Sequence, residues 1–209
     1  MSTPVPEPVR LILASRSPSR AALLHAGGCE PELIPADVDE DAIRSSLDDA
    51  APADVVAALA VAKARAVRAR LDGDTPAVVI GCDSMLLLDG ELQGKPHTAE
   101  RVVERWRAQA GKAADLLTGH CVIGPDGREI VETAGTRVFF ADAREDEIAA
   151  YAASGEPLEC AGAFTLEALG GWFIDRIEGD PSSVIGLSLP LLRRALNAFG
   201  YPVSAFWAR

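Results

Sequence analysis

The 209-residue chain predicts a mixed α/β fold, in which helices flank a sheet of both parallel and antiparallel strands. Three observations lead there. Short apolar runs rich in branched residues alternate with longer segments of helical period. Two pairs of runs are joined by turn signals, Asp89-Gly90 and Pro125-Asp126-Gly127, which favour hairpins. No internal repeat imposes the regular order of a parallel barrel. With 48% hydrophobic residues the chain has ample material for a core, read as one domain over residues 1–209 with a flexible tail at residues 1–8.

The elements follow in order. Val9 to Ala14 reads as a buried strand, and Pro18 opens a helix that stops at Gly27-Gly28. The acidic stretch Asp37, Asp39, Glu40, Asp41, Asp48 and Asp49 reads as a solvated loop or helix start. Asp54 to Leu71 is the clearest helix, with Asp54 as its expected N-cap. Ala77 to Cys82 is a second buried strand, followed by a hairpin of Met85–Leu88 and Glu91–Gln93. A helix over Thr98–Ala110, capped by Thr98, leads to strands at Leu116–Ile123 and Glu129–Phe140. A helix ending near Ser154, strands around Ala163–Leu166 and Trp172–Ile177, and a last helix over about Leu189–Phe199 complete the reading.

Composition narrows the function. A net charge of −11 argues against stable nucleic-acid binding, which draws on clustered Lys and Arg. No apolar stretch reaches the ~18 residues of a membrane span, and no basic-then-apolar start marks a secretory signal. The expectation is a soluble, cytoplasmic protein whose four cysteines, Cys29, Cys82, Cys121 and Cys160, are reduced and lack metal-site spacing. Any anionic ligand needs a local basic pocket or a bridging cation. His25, His97 and His120 read as structural or surface residues.

Three places break the local pattern, and such breaks mark candidate sites. Ser15-Arg16-Ser17-Pro18-Ser19-Arg20 lies between a strand and a helix; it is either a phosphate seat or a capping loop with exposed arginines. Lys63 leaves from the middle of an apolar stripe formed by Val56, Leu59, Ala60 and Val67. It either snorkels to solvent or meets a buried anion. Asp83 follows the apolar run Ala77–Cys82, and either binds a metal or water at the strand's end or caps a turn. Downstream, Gly94-Lys95-Pro96 places a lysine where the hairpin can return it to the same edge.

Taken together, these segments resemble the Maf family of nucleoside triphosphate pyrophosphatases nearly end to end. The likeness rests on Leu11-Ile12-Leu13-Ala14-Ser15-x-Ser17-Pro18-x-Arg20, Val38-Asp39-Glu40, Leu59-Ala60-x-x-Lys63-Ala64, Ile80-Gly81-x-Asp83 and Gly94-Lys95-Pro96. Thr118-Gly119, Ala161-Gly162-x-Phe164 and Gly179-Asp180-Pro181-x-x-Val184-Ile185-Gly186-Leu187 extend it. The resemblance implies a fold like the inosine-triphosphate pyrophosphatases, with two lobes around a cleft, and carries the expectation of a homodimer. It implies hydrolysis of a nucleoside triphosphate to monophosphate and pyrophosphate, assisted by a divalent metal, Mg²⁺ or Mn²⁺. Asp83 matches the family's proton acceptor, Ser15, Arg20, Lys63 and Lys95 its phosphate contacts, and Glu40 an acidic residue of the cleft that would share the metal with Asp83.

An aspartate of ordinary pKa, ~3.9, is a poor base for water, and a cation that acidifies the water removes most of that difficulty. The family's branches differ at three positions, here Ser19, Ser84 and Glu167. The dTTP/UTP branch carries Arg, Thr and Gln there, the 7-methyl-GTP branch Trp, Gln and Glu; this chain matches neither set, so the base stays open. The family is also associated with inhibition of septum formation. A non-catalytic nucleotide-binding regulator is therefore the alternative, and an acidic interaction protein ranks behind it because it leaves Lys63 unexplained.

Overall fold

A computed structural model of the chain describes residues 9–47, 49–72 and 76–208. The expected tail over residues 1–8 and Asp48 of the acidic stretch lie outside the described residues. Seven strands form one mixed sheet: β1 (Arg10–Leu13), β2 (Glu32–Leu33), β3 (Ala77–Leu88), β4 (Glu91–Gln93), β5 (Ala113–Ile123), β6 (Glu129–Phe140) and β7 (Ile174–Glu178). Their order is β2-β1-β3-β5-β6-β7, with β4 also against β3. β1 runs parallel to β2 and β3, and the remaining pairs are antiparallel. The mixed α/β class is thus the one the sequence predicts.

Helices cover both faces. They are α1 (Pro18–Ala26), α2 (Glu40–Ser45), α3 (Pro52–Arg68), α4 (Ala99–Gln109), α5 (Glu145–Ala153), α6 (Pro181–Ile185) and α7 (Leu189–Ala198). Strand alternation sends Val78, Ile80 and Cys82 toward α1 and α7, where they pack with Leu24, Leu191 and Leu196. Val79 and Ala77 face the other way and pack under Ala60, Ala64 and Val67 of α3. Both faces of β3 are therefore buried, which is why its sequence reads as a continuous apolar run. A third cluster gathers Trp106, Phe140, Tyr151 and Phe164 at the far end of the sheet.

Several boundaries differ from expectation for physical reasons. α3 begins at Pro52, with Ala51 as N-cap, because proline's fixed φ starts the helix early; Asp54 lies in the first turn, where its charge still favours the helix dipole. The expected break at Asp83 does not occur. β3 runs unbroken through twelve residues, and its antiparallel register with β5 carries Asp83 opposite Gly119 and Ser84 opposite Thr118. Asp83 is thus mid-strand, not at the strand's carboxyl end. No strand forms at Ala163–Leu166, since Gly162 and Ala163 adopt φ of 71° and 59° and turn the chain. Trp172 and Phe173 close a 3₁₀ turn before β7. The hairpin at Asp89-Gly90 is as expected, both residues having the positive φ of a two-residue turn.

α3 lies so near the sheet that its backbone rests on two glycines. A Cβ at Gly81 would lie 2.3 Å from Ala60 O and 2.7 Å from Ala64 N. One at Gly119 would lie 2.3 Å from Val56 O. These two positions flank Asp83 on the same face, one two residues earlier in β3 and one across the ladder in β5. Their missing side chains let the helix backbone rest on the strands. Gly119→Ala is expected to push α3 outward and cost at least ~2 kcal/mol of stability, measured by denaturant unfolding.

His120, 1% exposed, closes the other face of β5: its Nε2 accepts a hydrogen bond of 2.8 Å from the Ser188 N–H that opens α7. Burial, then the nearby Arg20 charge, depresses its pKa from 6.5 to about 4. The folded state therefore binds fewer protons than the unfolded chain between those values. Stability present above pH 6.5 should be lost as pH falls toward 4, by ~3 kcal/mol from this group. Unfolding curves across that range, compared with His120→Asn, would expose the acid limb; identical limbs would remove His120 from it.

Candidate active site

A gap in the sheet makes the site. β1 pairs with Ala77–Ile80 of β3 and then ends, while β4 takes up the same edge only at Leu86–Leu88. Among the described residues, residues 81–85 of β3 therefore have no strand neighbour on that side. The chain leaving β1 turns into the Ser15–Ser17 loop, so the carboxyl end of a parallel strand still borders the site, as open α/β sheets favour. A cleft of about 990 Å³ opens over this gap. Asp83 stands at its floor.

Lys63 Nζ lies 2.7 Å from Asp83 Oδ1 and 3.0 Å from Glu40 Oε1. Lys63 and Asp83 are 9% and 8% exposed, which decides between the two readings of the lysine: its charge stays inside and meets an anion. That anion is supplied by the protein itself. A charge so desolvated is tolerated only with a partner. Glu40 is the first residue of α2, which Asp39 caps by accepting from the Ala42 N–H, and its side chain is half exposed.

Arg20 has a different task from a simple phosphate contact. Its Nε donates to Gly186 O at 2.7 Å, and its terminal nitrogens donate to Cys82 O at 3.0 Å, Ser84 Oγ at 3.0 Å and Ser15 Oγ at 3.3 Å. Cys82 O belongs to the unpaired edge of β3, so the guanidinium takes the place of the missing strand. Four of the five N–H groups of an arginine are spent in this way, leaving one for a ligand. The Ser15–Arg20 segment is thus capping loop and cleft wall together: Ser17 caps α1 and Ser15 Oγ accepts from the Ser17 N–H.

Ser84 points away from Asp83, on the opposite face. It receives Arg20 and lies 3.0 Å from Thr118 Oγ1, which donates to Ser183 O at 2.8 Å. Since Thr118 has spent its proton, Ser84 is the donor to it. Ser183 Oγ and Thr136 Oγ1, 2.9 Å apart, continue this chain of buried hydroxyls toward Asp180. Ser84 thereby couples Arg20 to the Gly179–Gly186 segment.

Lys95 is on the far wall, half exposed, 3.0 Å from Glu159; the same carboxylate takes His97 Nδ1 at 3.0 Å. Those two bonds hold the Glu159 carboxyl below its ordinary pKa. Ser19 and Glu167 also line the cleft, and the Glu167 carboxylate accepts from the Leu166 N–H at 3.1 Å. All eight residues expected from the sequence, with Glu40, therefore border one cleft, though only Lys63, Asp83 and Glu40, and separately Arg20, Ser15 and Ser84, touch one another.

Sequence reasoning missed Arg105 and Glu159. Arg105 lowers itself into the wall and donates to Gly94 O, just before Lys95. Burial, then the charge of Arg101, depresses its pKa. No local pattern singles out one arginine among the three in that helix. Of the two expected routes to an anion site, a basic pocket or a bridging cation, the basic pocket is not what forms. Seven Lys and Arg line the cleft beside nine Asp and Glu, so it is mixed in sign.

Among the described residues, no group of three or more His, Cys, Asp or Glu converges on a metal position. Asp83 and Glu40 nevertheless reach one ammonium between them, and only Oδ1 of Asp83 is engaged there. Two carboxylates are the hard-oxygen donor set that Mg²⁺ or Mn²⁺ uses when substrate phosphates and water complete the shell, so the residues present fit such an ion.

Residues 10–199 match the family model described as "Maf-like protein". A relative from Corynebacterium aurimucosum, called "Nucleoside triphosphate pyrophosphatase", is 64% identical over 96% of this chain and 100% of its own length. One from Corynebacterium diphtheriae with the same description is 64% identical over 95% and 98%, and one from Nocardia farcinica 56% over 94% and 96%. A solved nucleoside-triphosphatase, dITP/XTP pyrophosphatase, from Mycobacterium abscessus aligns over 65% of this chain and 76% of its own, with a TM-score of 0.38 and 17% identity. That likeness is too slight to carry an argument, and the fold rests on the strand order itself.

Lys63→Met keeps the length of the side chain and leaves Asp83 desolvated without its counter-charge. The variant is expected to lose ~3 kcal/mol of stability in denaturant unfolding. Wild-type stability would mean that the pair carries no net weight in the fold.

Proposed function

The chain belongs to the Maf-like protein family, and from that membership we propose that it hydrolyses nucleoside triphosphates to the monophosphate and pyrophosphate. The observation that carries the proposal is the Lys63–Asp83–Glu40 cluster at the break in the sheet edge. Relatives more than half identical along nearly their whole length, and described as nucleoside triphosphate pyrophosphatases, support the same reaction.

In this reading Asp83 orients the attacking water and accepts its proton at the oxygen that Lys63 leaves free. Lys63 keeps that carboxylate in place and brings positive charge toward the α-phosphate. Lys95, across the cleft, faces the departing pyrophosphate, and the one unspent N–H of Arg20, with Ser15 beside it, contributes on the near wall. A Mg²⁺ or Mn²⁺ ion held by Asp83 and Glu40 would supply, when bound, the charge that acidifies water and offsets the phosphates. The mixed sign of the cleft supports that cation, because seven basic groups among nine carboxylates do not by themselves favour a triphosphate. Glu167 accepts an N–H of the base, and Ser19 and Ser84, the other two positions at which the branches differ, line the same cleft. Housekeeping of modified or non-canonical nucleotides, a cytoplasmic setting and a homodimer belong to the same reading.

Asp83→Asn is expected to lower turnover at least ~10²-fold while nucleotide binding survives, since Lys63 keeps Glu40 as its partner. The assay follows pyrophosphate and monophosphate from a panel of canonical and modified triphosphates with Mn²⁺. Orthophosphate and diphosphate as products would mean that a different bond is cut. Binding without any product from the wild-type chain would favour the non-catalytic regulator.

A further inference from the structure

The wall that carries Glu167 is a loop anchored on a single carboxylate. Glu156 follows Gly155, whose φ of 77° ends α5 and turns the chain back. Its Oε2 accepts the Leu169 N–H at 3.1 Å. Its Oε1 accepts the Gly170 N–H at 3.1 Å, the Tyr151 hydroxyl at 3.2 Å and the Thr165 hydroxyl. The donors are themselves joined: Thr165 N–H donates to Tyr151 Oη at 3.2 Å, and Gly170 N–H also reaches Thr165 Oγ1 at 3.1 Å. The loop between Thr165 and Gly170 is thus closed on itself through one side chain.

The packing leaves no slack. A Cβ at Gly170 would come within 2.4 Å of Thr165 O and 2.6 Å of Tyr151 Oη. Thr165 is 8% exposed and still borders the cleft, whereas Glu156 does not border it. Burial works against ionisation of Glu156, but the hydrogen bonds from Thr165, Gly170, Leu169 and Tyr151 outweigh it and hold the carboxyl below its ordinary range. A charge that organises backbone N–H groups is worth more than a neutral acceptor.

We propose that Glu156 is the positioning residue of the base-recognition wall: it fixes the turn from Thr165 to Gly170, and through it the place of Glu167, without touching the substrate. The inference rests on the reading of Glu167 as a contact to the base. Selectivity among bases then depends on the loop's shape, while the phosphate end of the cleft, built on β3 and α3, is independent of it.

The test uses the full chain with Mn²⁺ and the triphosphate panel, comparing Glu156→Gln, Thr165→Val and Glu167→Ala. Glutamine keeps one acceptor oxygen and sets its amide hydrogens against either the Leu169 or the Gly170 N–H, and valine removes one donor at nearly constant shape. Glu156→Gln should raise KM for the preferred triphosphate about tenfold and flatten the ranking of bases, with kcat within about threefold. Inhibition by inorganic pyrophosphate, which has no base, should stay within about twofold. Thr165→Val should show the same pattern at smaller amplitude, and it decides the matter if the glutamine variant does not fold. An unchanged ranking in both folded variants, or an equal loss of pyrophosphate inhibition, would overturn the proposal provided Glu167→Ala flattens the ranking. A Glu167→Ala variant with the wild-type ranking would instead overturn the reading of Glu167, and this inference with it.

Discussion

α3 lies closer to the sheet than side chains permit, and Gly81 and Gly119 are what allow it. At that depth Lys63 emerges from the helix directly above Asp83 and meets it at 2.7 Å. A side chain at either glycine would collide with the backbone of α3 and hold the helix off the sheet. The rest of the site is arranged around this pair: Glu40 arrives from α2 as a second carboxylate, and Arg20 secures the unpaired carbonyl next to Asp83. Two absent side chains and one buried ion pair therefore set the floor of the cleft.

The walls above that floor differ in character. The near wall is tied by directional hydrogen bonds, from Arg20 through Ser84 and Thr118 to Ser183 and Thr136, all largely removed from solvent. Such a chain tolerates little displacement, because each member left alone would be a buried polar group without a partner. The far wall is held by exposed ion pairs of Lys95 and His97 with Glu159, which are weak and screened by salt. A ligand oxyanion can compete with Glu159 for Lys95 at small cost. It cannot compete with Cys82 O and Gly186 O for Arg20 on the same terms.

Much of this was legible in the sequence. Lys63 announced itself as a charge in an apolar stripe, and Asp83 as a carboxylate after a buried run; both signals are local and survive folding. The mixed sheet followed from its hairpins. What the sequence concealed is what depends on distant partners. Nothing near Asp83 shows that its backbone is laddered opposite Gly119, so the acidic residue reads as the end of a strand that in fact continues through it. Arg20 reads as a free cation until the missing strand edge beside Cys82 gives it acceptors. The turns at Gly162–Ala163 and Leu169–Phe173 are apolar enough to imitate strands, and only their backbone angles, set by surrounding contacts, reveal otherwise. Arg105 resembles its neighbours in α4 until packing sinks it.

β3 runs as one twelve-residue strand beneath both walls of the cleft. A doubly covered, hydrogen-bonded strand is among the stiffest members a protein has, and it offers no joint about which the two sides could swing. Adaptation to nucleotides of different size must then come from segments attached to that beam, such as the loop after Ala161 and the stretch leading into α2, while the distance between the two ends of the beam stays constant. The molecule is built like a caliper with its jaws fixed and its padding replaceable, so that changes in those segments leave the frame beneath Lys63 and Asp83 in place.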